Sequence, residues 1–181
     1  MNYNMRLHRK GILMVASILL FFTIACVKKP IDKKSMVVTH TSITKENFLV
    51  DPFGYKPTIK NFSSQLFPDY KLQIYSIKNL HNPQVSDTIY RFYRKKSELF
   101  IYKTIEGREL FFAANIVEGK VVLKNGVKVG ITREEFFNGF TNLKQTQEDS
   151  ISLGSKRSTT VFNFVFKNNR LQAIKINNYI D

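Results

Sequence analysis

Residues 159–178 read TTVFNFVFKNNRLQAIKINN, and this stretch decides the fold. Phe162, Phe164 and Phe166 alternate with Val161, Asn163, Val165 and Lys167, the two-residue period of a strand that buries one face. Asn168-Asn169 then supplies two residues that tolerate positive φ, as a two-residue hairpin loop requires. In that register Phe166 is expected opposite Leu171, Phe164 opposite Ala173 and Phe162 opposite Lys175. One face of the ribbon is largely apolar, so it should cover a core.

Seventy-two residues earlier the pattern recurs without a gap: residues 88–103, TIYRFYRKKSELFIYK, align with residues 160–175, TVFNFVFKNNRLQAIK. Five of the sixteen positions are identical, and Tyr90, Phe92, Leu99 and Ile101 fall on the positions of the apolar face. The alignment predicts a second hairpin turning at Lys96-Ser97, and an internal duplication. Further strand-like runs cover residues 70–77, 109–117 and 120–124, the last closing in a turn at Asn125-Gly126.

A helix is expected ahead of each hairpin. Thr132 followed by Glu135 has the spacing of a capping box, with Ile131 placed to staple Phe136, and Phe136 and Phe140 share a helical face. Residues 57–67, PTIKNFSSQLF, place Ile59, Phe62 and Leu66 at helical spacing behind a proline suited to a first turn. The expected class is therefore α+β, an antiparallel sheet with helices on one face, in two tandem helix-plus-hairpin repeats over residues 55–118 and 126–181.

The segment from Gly130 to Phe140, GITREEFFNGF, resembles the helix opening of small periplasmic lipoprotein domains with the β-lactamase-inhibitor-like fold, a group that includes the small lipoprotein of the outer-membrane β-barrel assembly machine. The resemblance implies a helix followed by a meander, tandem duplication, an envelope setting and no catalytic residues.

The N-terminus reads as a processing signal. Arg6, Arg9 and Lys10 precede an uncharged run over residues 11–25. As a helix that run would span about 22 Å, short of the roughly 30 Å of hydrocarbon in a bilayer, so a cleaved signal fits better than a permanent anchor. It ends at Cys26, the single cysteine, and the whole resembles a bacterial lipoprotein signal, with Thr23 standing where such signals usually carry Leu. Cys26 is accordingly the expected lipidation site, residues 26–44 a lysine-rich flexible tether, and residues 45–181 the folded domain. A single cysteine excludes an internal disulfide framework.

All 14 acidic residues but only 25 of the 28 basic ones follow the signal, so the exported chain would carry a formal charge of +11. In the cell envelope that charge favours anionic lipid or an acidic protein over nucleic acid. No RNP motif or zinc-ligand spacing is present.

The chain offers little for catalysis. After the signal the histidines are His40 and His81, no Gly-x-Ser-x-Gly elbow occurs, and residues 126–130 lack the Gly-Lys-Ser/Thr ending of a phosphate loop. Glu134 and Glu135, adjacent on a helix, cannot face one another as an acid/base pair. No catalytic, metal or cofactor residues are expected. The functional expectation is a membrane-anchored, non-catalytic interaction module with an envelope protein partner, on the periplasmic or surface side. The alternative is a binding protein for an anionic small molecule or lipid, using Lys95, Lys96, Lys156 and Arg157.

Overall fold

A computed structural model describes residues 42–79, 81–155 and 158–178. The signal, Cys26, His40, most of the tether, Lys156 and Arg157 lie outside the described residues.

The chain forms helices α1 (Lys45–Val50) and α2 (Ile59–Leu66), then strands β1 (Lys71–Lys78), β2 (Ser86–Arg94), β3 (Ser97–Lys103) and β4 (Glu109–Ile116). Helix α3 (Arg133–Asn138) and strands β5 (Ser150–Ser155), β6 (Ser158–Lys167) and β7 (Arg170–Asn178) follow. The seven strands make one antiparallel sheet in the order β1-β2-β3-β4-β7-β6-β5, so the fold is mostly sheet, with a few short helices.

Its core is organised by a row of paired residues that crosses every strand: Leu72, Phe92, Leu99, Ala114, Ile176, Phe162 and Leu153. Directly paired residues project from the same face, so this row defines one side of the sheet. All but the half-buried Leu72 are buried. A second row joins Ile116, Ile174, Phe164 and Ile151.

Each helix buries a phenylalanine against these rows. Phe48 of α1 lies 5.0 Å from Phe162, Phe62 of α2 lies 5.7 Å from Phe92, and Phe136 of α3 lies 4.8 Å from Phe164. Burial of such a side chain contributes about 1.5–3 kcal/mol, more than the propensity of a six- or eight-residue helix could supply. The helices therefore owe their existence to the sheet.

Several sequence expectations hold. The capping box is complete: Glu135 N donates to Thr132 Oγ1 at 3.1 Å and Thr132 N donates to Glu135 Oε2 at 2.7 Å. Phe136 and Phe140 meet at 5.3 Å. Both hairpins form, and Asn168 and Asn169 have φ of 50° and 59°.

The registers need correction. Phe166 does pair with Leu171, but Phe164 pairs with Ile174 and Phe162 with Ile176, because Gln172 is bulged out between Leu171 and Ala173. Without that bulge Ala173 and Lys175 would face the core; with it, Ile174 and Ile176 do, and burial decides the register. The first turn is at Lys95-Lys96, one residue before the expected Lys96-Ser97. Ser97 is instead buried in β3, where its Oγ accepts a bond from Val117 N at 3.0 Å.

Other boundaries also move. Helix α2 starts behind Thr58, whose Oγ1 accepts from Asn61 N, and not at Pro57. Residues 120–124 are not a strand. They form a loop that pushes Val121 and Leu123 into the core while Lys124 N donates to Pro52 O, and the Asn125-Gly126 turn follows as expected. Ile43 and Thr44, in the range read as tether, join the fold: Ile43 exchanges backbone bonds with Gly139 and Thr141, and Thr44 caps α1.

Candidate functional site

The side of the sheet opposite the core rows carries a second set of paired residues. Gln73, Arg91 and Phe100 form one row, and Tyr75, Ile89, Tyr102 and Leu110 another. Tyr93 pairs with Glu98 beside them, and the Phe112 ring lies 5.6 Å from that of Phe100. Arg91, Tyr75, Tyr93, Phe100, Tyr102 and Phe112 are all half-buried. This is a fixed surface rich in rings.

Arg91 organises it. Its Nε donates to Glu98 Oε2 at 3.0 Å, and its Nη1 reaches Gln73 Oε1 at 3.2 Å and the Tyr75 hydroxyl at 3.3 Å. The guanidinium also stands 4.9 Å from the Tyr93 ring centre, the geometry of a cation–π contact. Hydrogen bonding to Tyr75, the largest cause, and to Glu98 raises the Arg91 pKa above its ordinary value despite partial burial. The result is a pre-ordered patch of rings around a charge already satisfied within the protein. Such a patch suits recognition, since little side-chain freedom remains to be lost on contact.

At the end of the same face Asp87 is buried. Its Oδ2 accepts from Asn79 Nδ2 at 2.6 Å and from the Tyr102 hydroxyl, and its Oδ1 accepts from Ile105 N at 2.8 Å. These bonds, that to Tyr102 first, hold its carboxyl below the usual carboxylate range. Asn79 Oδ1 in turn accepts from the amides of His81 and Asn82. Asp87 thus anchors two loops, and exposed His81 takes part through its backbone.

A cleft of about 490 Å³ opens on the other side, where the loop after α1 meets the ends of β4, β6 and β7. Phe53, Phe111 and Phe162 contribute its apolar lining, and Tyr55, Lys56 and Glu109 its polar edge. Burial pushes the Tyr55 phenol up to about 12, so it is a neutral hydroxyl at any physiological pH. Glu109 Oε2 is taken by the amide of Ile59 at 2.9 Å, the first residue of α2.

The remaining sequence candidates are scattered. Lys95 reaches Glu118 at 3.6 Å, Lys96 is exposed in the turn, and Glu135 is occupied by its cap. Gly126 and Gly130 have φ of 77° and 99° and lead the chain into α3. The ring surface itself is absent from the sequence reading because its residues come from four strands, and only the registers bring them together. Among the described residues no group of three or more His, Cys, Asp and Glu is placed to hold a metal ion, and no helix is long and apolar enough to cross a membrane.

Compared with known proteins, the chain matches no family model, no curated protein and no solved structure.

Proposed function

We propose that this chain is a bacterial envelope lipoprotein, anchored through Cys26, whose folded part is a non-catalytic protein-interaction module. The observation that carries the reading is the half-exposed ring surface ordered around Arg91. Sheet faces are normally either packed on a core or dressed with polar side chains. Here Tyr75, Tyr93, Phe100, Tyr102 and Phe112 leave an apolar and aromatic patch of the kind that marks contact sites.

The reading also takes the helices to lie together on the face of the core rows, leaving the ring surface free. It further takes residues 55–118 and 126–181 to be diverged copies of one helix-plus-hairpin unit, with α2-β1-β2-β3 answering to α3-β5-β6-β7, and takes Gly130 to Phe140 to resemble the helix opening of the β-lactamase-inhibitor-like fold. Support for the copies comes from their equal element order, a helix followed by a meander.

The test uses native protein extracted in detergent from the envelope and cross-linked before recovery. Phe100→Asp should abolish recovery of a discrete partner while leaving the thermal midpoint within a few degrees of the parent. Unchanged recovery would remove the ring surface from the argument.

The cleft favours a second reading, a binder of a small anionic molecule or lipid, with an apolar body against Phe53 and Phe111 and an oxygen group at Tyr55 and Lys56. Its volume falls within the range of ligand sites. Titration with decanoate and decanol separates the two readings, since the second requires saturable binding with preference for the acid.

A further inference from the structure

The two edges of the sheet are built differently. Strand β5 has six residues, its pairing with β6 shifts between Leu153 and Ser155, and α1 packs beside it. Short length, a bulge, a covering element and charged side chains along the strand are the usual devices that keep an edge from pairing with another chain. Strand β1 has only the last, and only at its two ends, Lys71 and Lys78. It runs for eight residues, pairs with β2 without a break from Lys71 opposite Tyr93 to Lys78 opposite Ser86, and contains neither proline nor glycine.

Its composition is equally suited to pairing. The six residues between the terminal lysines, LQIYSI, carry no charge, and Ile74 and Ile77 are 57% and 42% exposed. Isoleucine and tyrosine favour the extended conformation, so the outer edge is a ready template. Lys71 and Lys78 are exposed and have no ion-pair partner among the described residues. They set the sign of what can be added. A second copy is disfavoured, because the exported chain would carry a formal charge of +11 and would bring like charges together. An acidic strand is favoured by the same two lysines, which thus exclude one partner and admit another.

We propose that β1 accepts an extended acidic segment of a partner protein as an eighth strand of the sheet. This rests on the reading of the chain as an interaction module and names how one partner would engage it. Main-chain bonds along the edge hold the segment. An apolar side chain opposite Ile74 and carboxylates near Lys71 and Lys78, about seven residues apart, give it register.

The probe is a labelled, end-blocked decapeptide with valine at alternate positions and two glutamates seven residues apart, titrated by fluorescence anisotropy against the full lipidated chain in detergent. A matched peptide has lysine in place of both glutamates. The glutamate peptide should bind saturably and the lysine peptide at least about tenfold more weakly. In the Lys71→Glu/Lys78→Glu double variant, whose exposed sites leave folding intact, that preference should reverse. Bound peptide should also slow amide exchange in residues 71–78 and leave residues 150–155 unchanged. No saturable binding below about 1 mM, an unaltered preference in the double variant, or protection confined to other strands would each overturn the proposal. If Phe100→Asp abolishes partner recovery and the double variant does not, the module stands and the edge proposal falls; if neither changes it, both fall.

Discussion

Tyr102 on β3 donates its hydroxyl proton to the buried carboxylate of Asp87 on β2, although the residue it pairs with directly is Ile89. The two positions on β2 are two residues apart, so both side chains leave the same face and meet on the diagonal of the ladder. Asn79 and Ile105 complete the shell from the loop before β2 and the loop after β3. One carboxylate thereby fastens both loops at this end of β2 and β3.

The sign of its pH dependence follows. Because these donors lower the Asp87 pKa in the fold, its contribution is fully present above the unfolded value of about 4 and is lost as pH falls below that through the folded value. Asp87→Asn should therefore lower the thermal midpoint at pH 7, by a margin that shrinks as the pH is taken below about 4. A margin that stays constant across that range would mean that Asp87 is not charged in the folded protein. The measurement is thermal unfolding of both proteins in a pH series.

Phe164 tests the core. Its ring is fully buried among Phe48, Phe136 and Phe162, so Phe164→Ala should cost about 3–5 kcal/mol, a large share of the roughly 5–15 kcal/mol that holds a domain folded. Val165, half-buried on the opposite face, should tolerate Thr with a loss below about 1 kcal/mol. Denaturant titration of the two variants separates these outcomes. Equal losses would show that both faces are covered equally.

The contrast between those neighbours was legible in the sequence, as was the α3 cap, because both depend on spacing within a few residues. What depended on distant partners was not. The strand assigned to residues 120–124 has the right alternation, yet Val121 and Leu123 reach the core from a loop held by Pro52 and Val127. Helix α1 leaves little trace in the sequence, although Thr44 and Asn47 carry its cap, because six residues are too few to show a helical period. The ring surface needed the pairings of β1 through β4, which no local pattern encodes.

Lipidation is tested directly. The uncharged run ending at the single cysteine predicts that labelled fatty acid enters the parent chain and is lost in Cys26→Ala. The variant should also leave the membrane fraction, since one hydrophobic signal of 15 residues is too short to hold it comfortably across a bilayer. Label retained in Cys26→Ala would show that the lipid is not on Cys26 and overturn the assignment.

The bulge at Gln172 yields the sharpest structural test, because it separates two registers that differ by one residue. Leu171 pairs with Phe166 and Ala173 with Val165, leaving Gln172 exposed and unpaired between them. Deleting Gln172 would convert the β6–β7 pair into an uninterrupted ladder and still leave Leu171, Ile174 and Ile176 on the core face. The deletion should therefore cost no more than about 1–2 kcal/mol, the scale of an ordinary substitution. Inserting a second residue after Gln172 would keep Leu171, Ile174 and Ile176 on one face of a regular ladder but offset Ile174 and Ile176 by two positions along β6, so that they leave Phe164 and Phe162 for Phe162 and Thr160 and the core rows no longer match. That protein should therefore unfold at a lower temperature than the deletion variant. If the hairpin were regular with Phe164 opposite Ala173, the deletion would be the damaging change, because it would move Ala173 and Ile174 to each other's faces. Comparing the two by thermal unfolding decides between the registers, and a deletion that unfolds the domain would refute the bulged one.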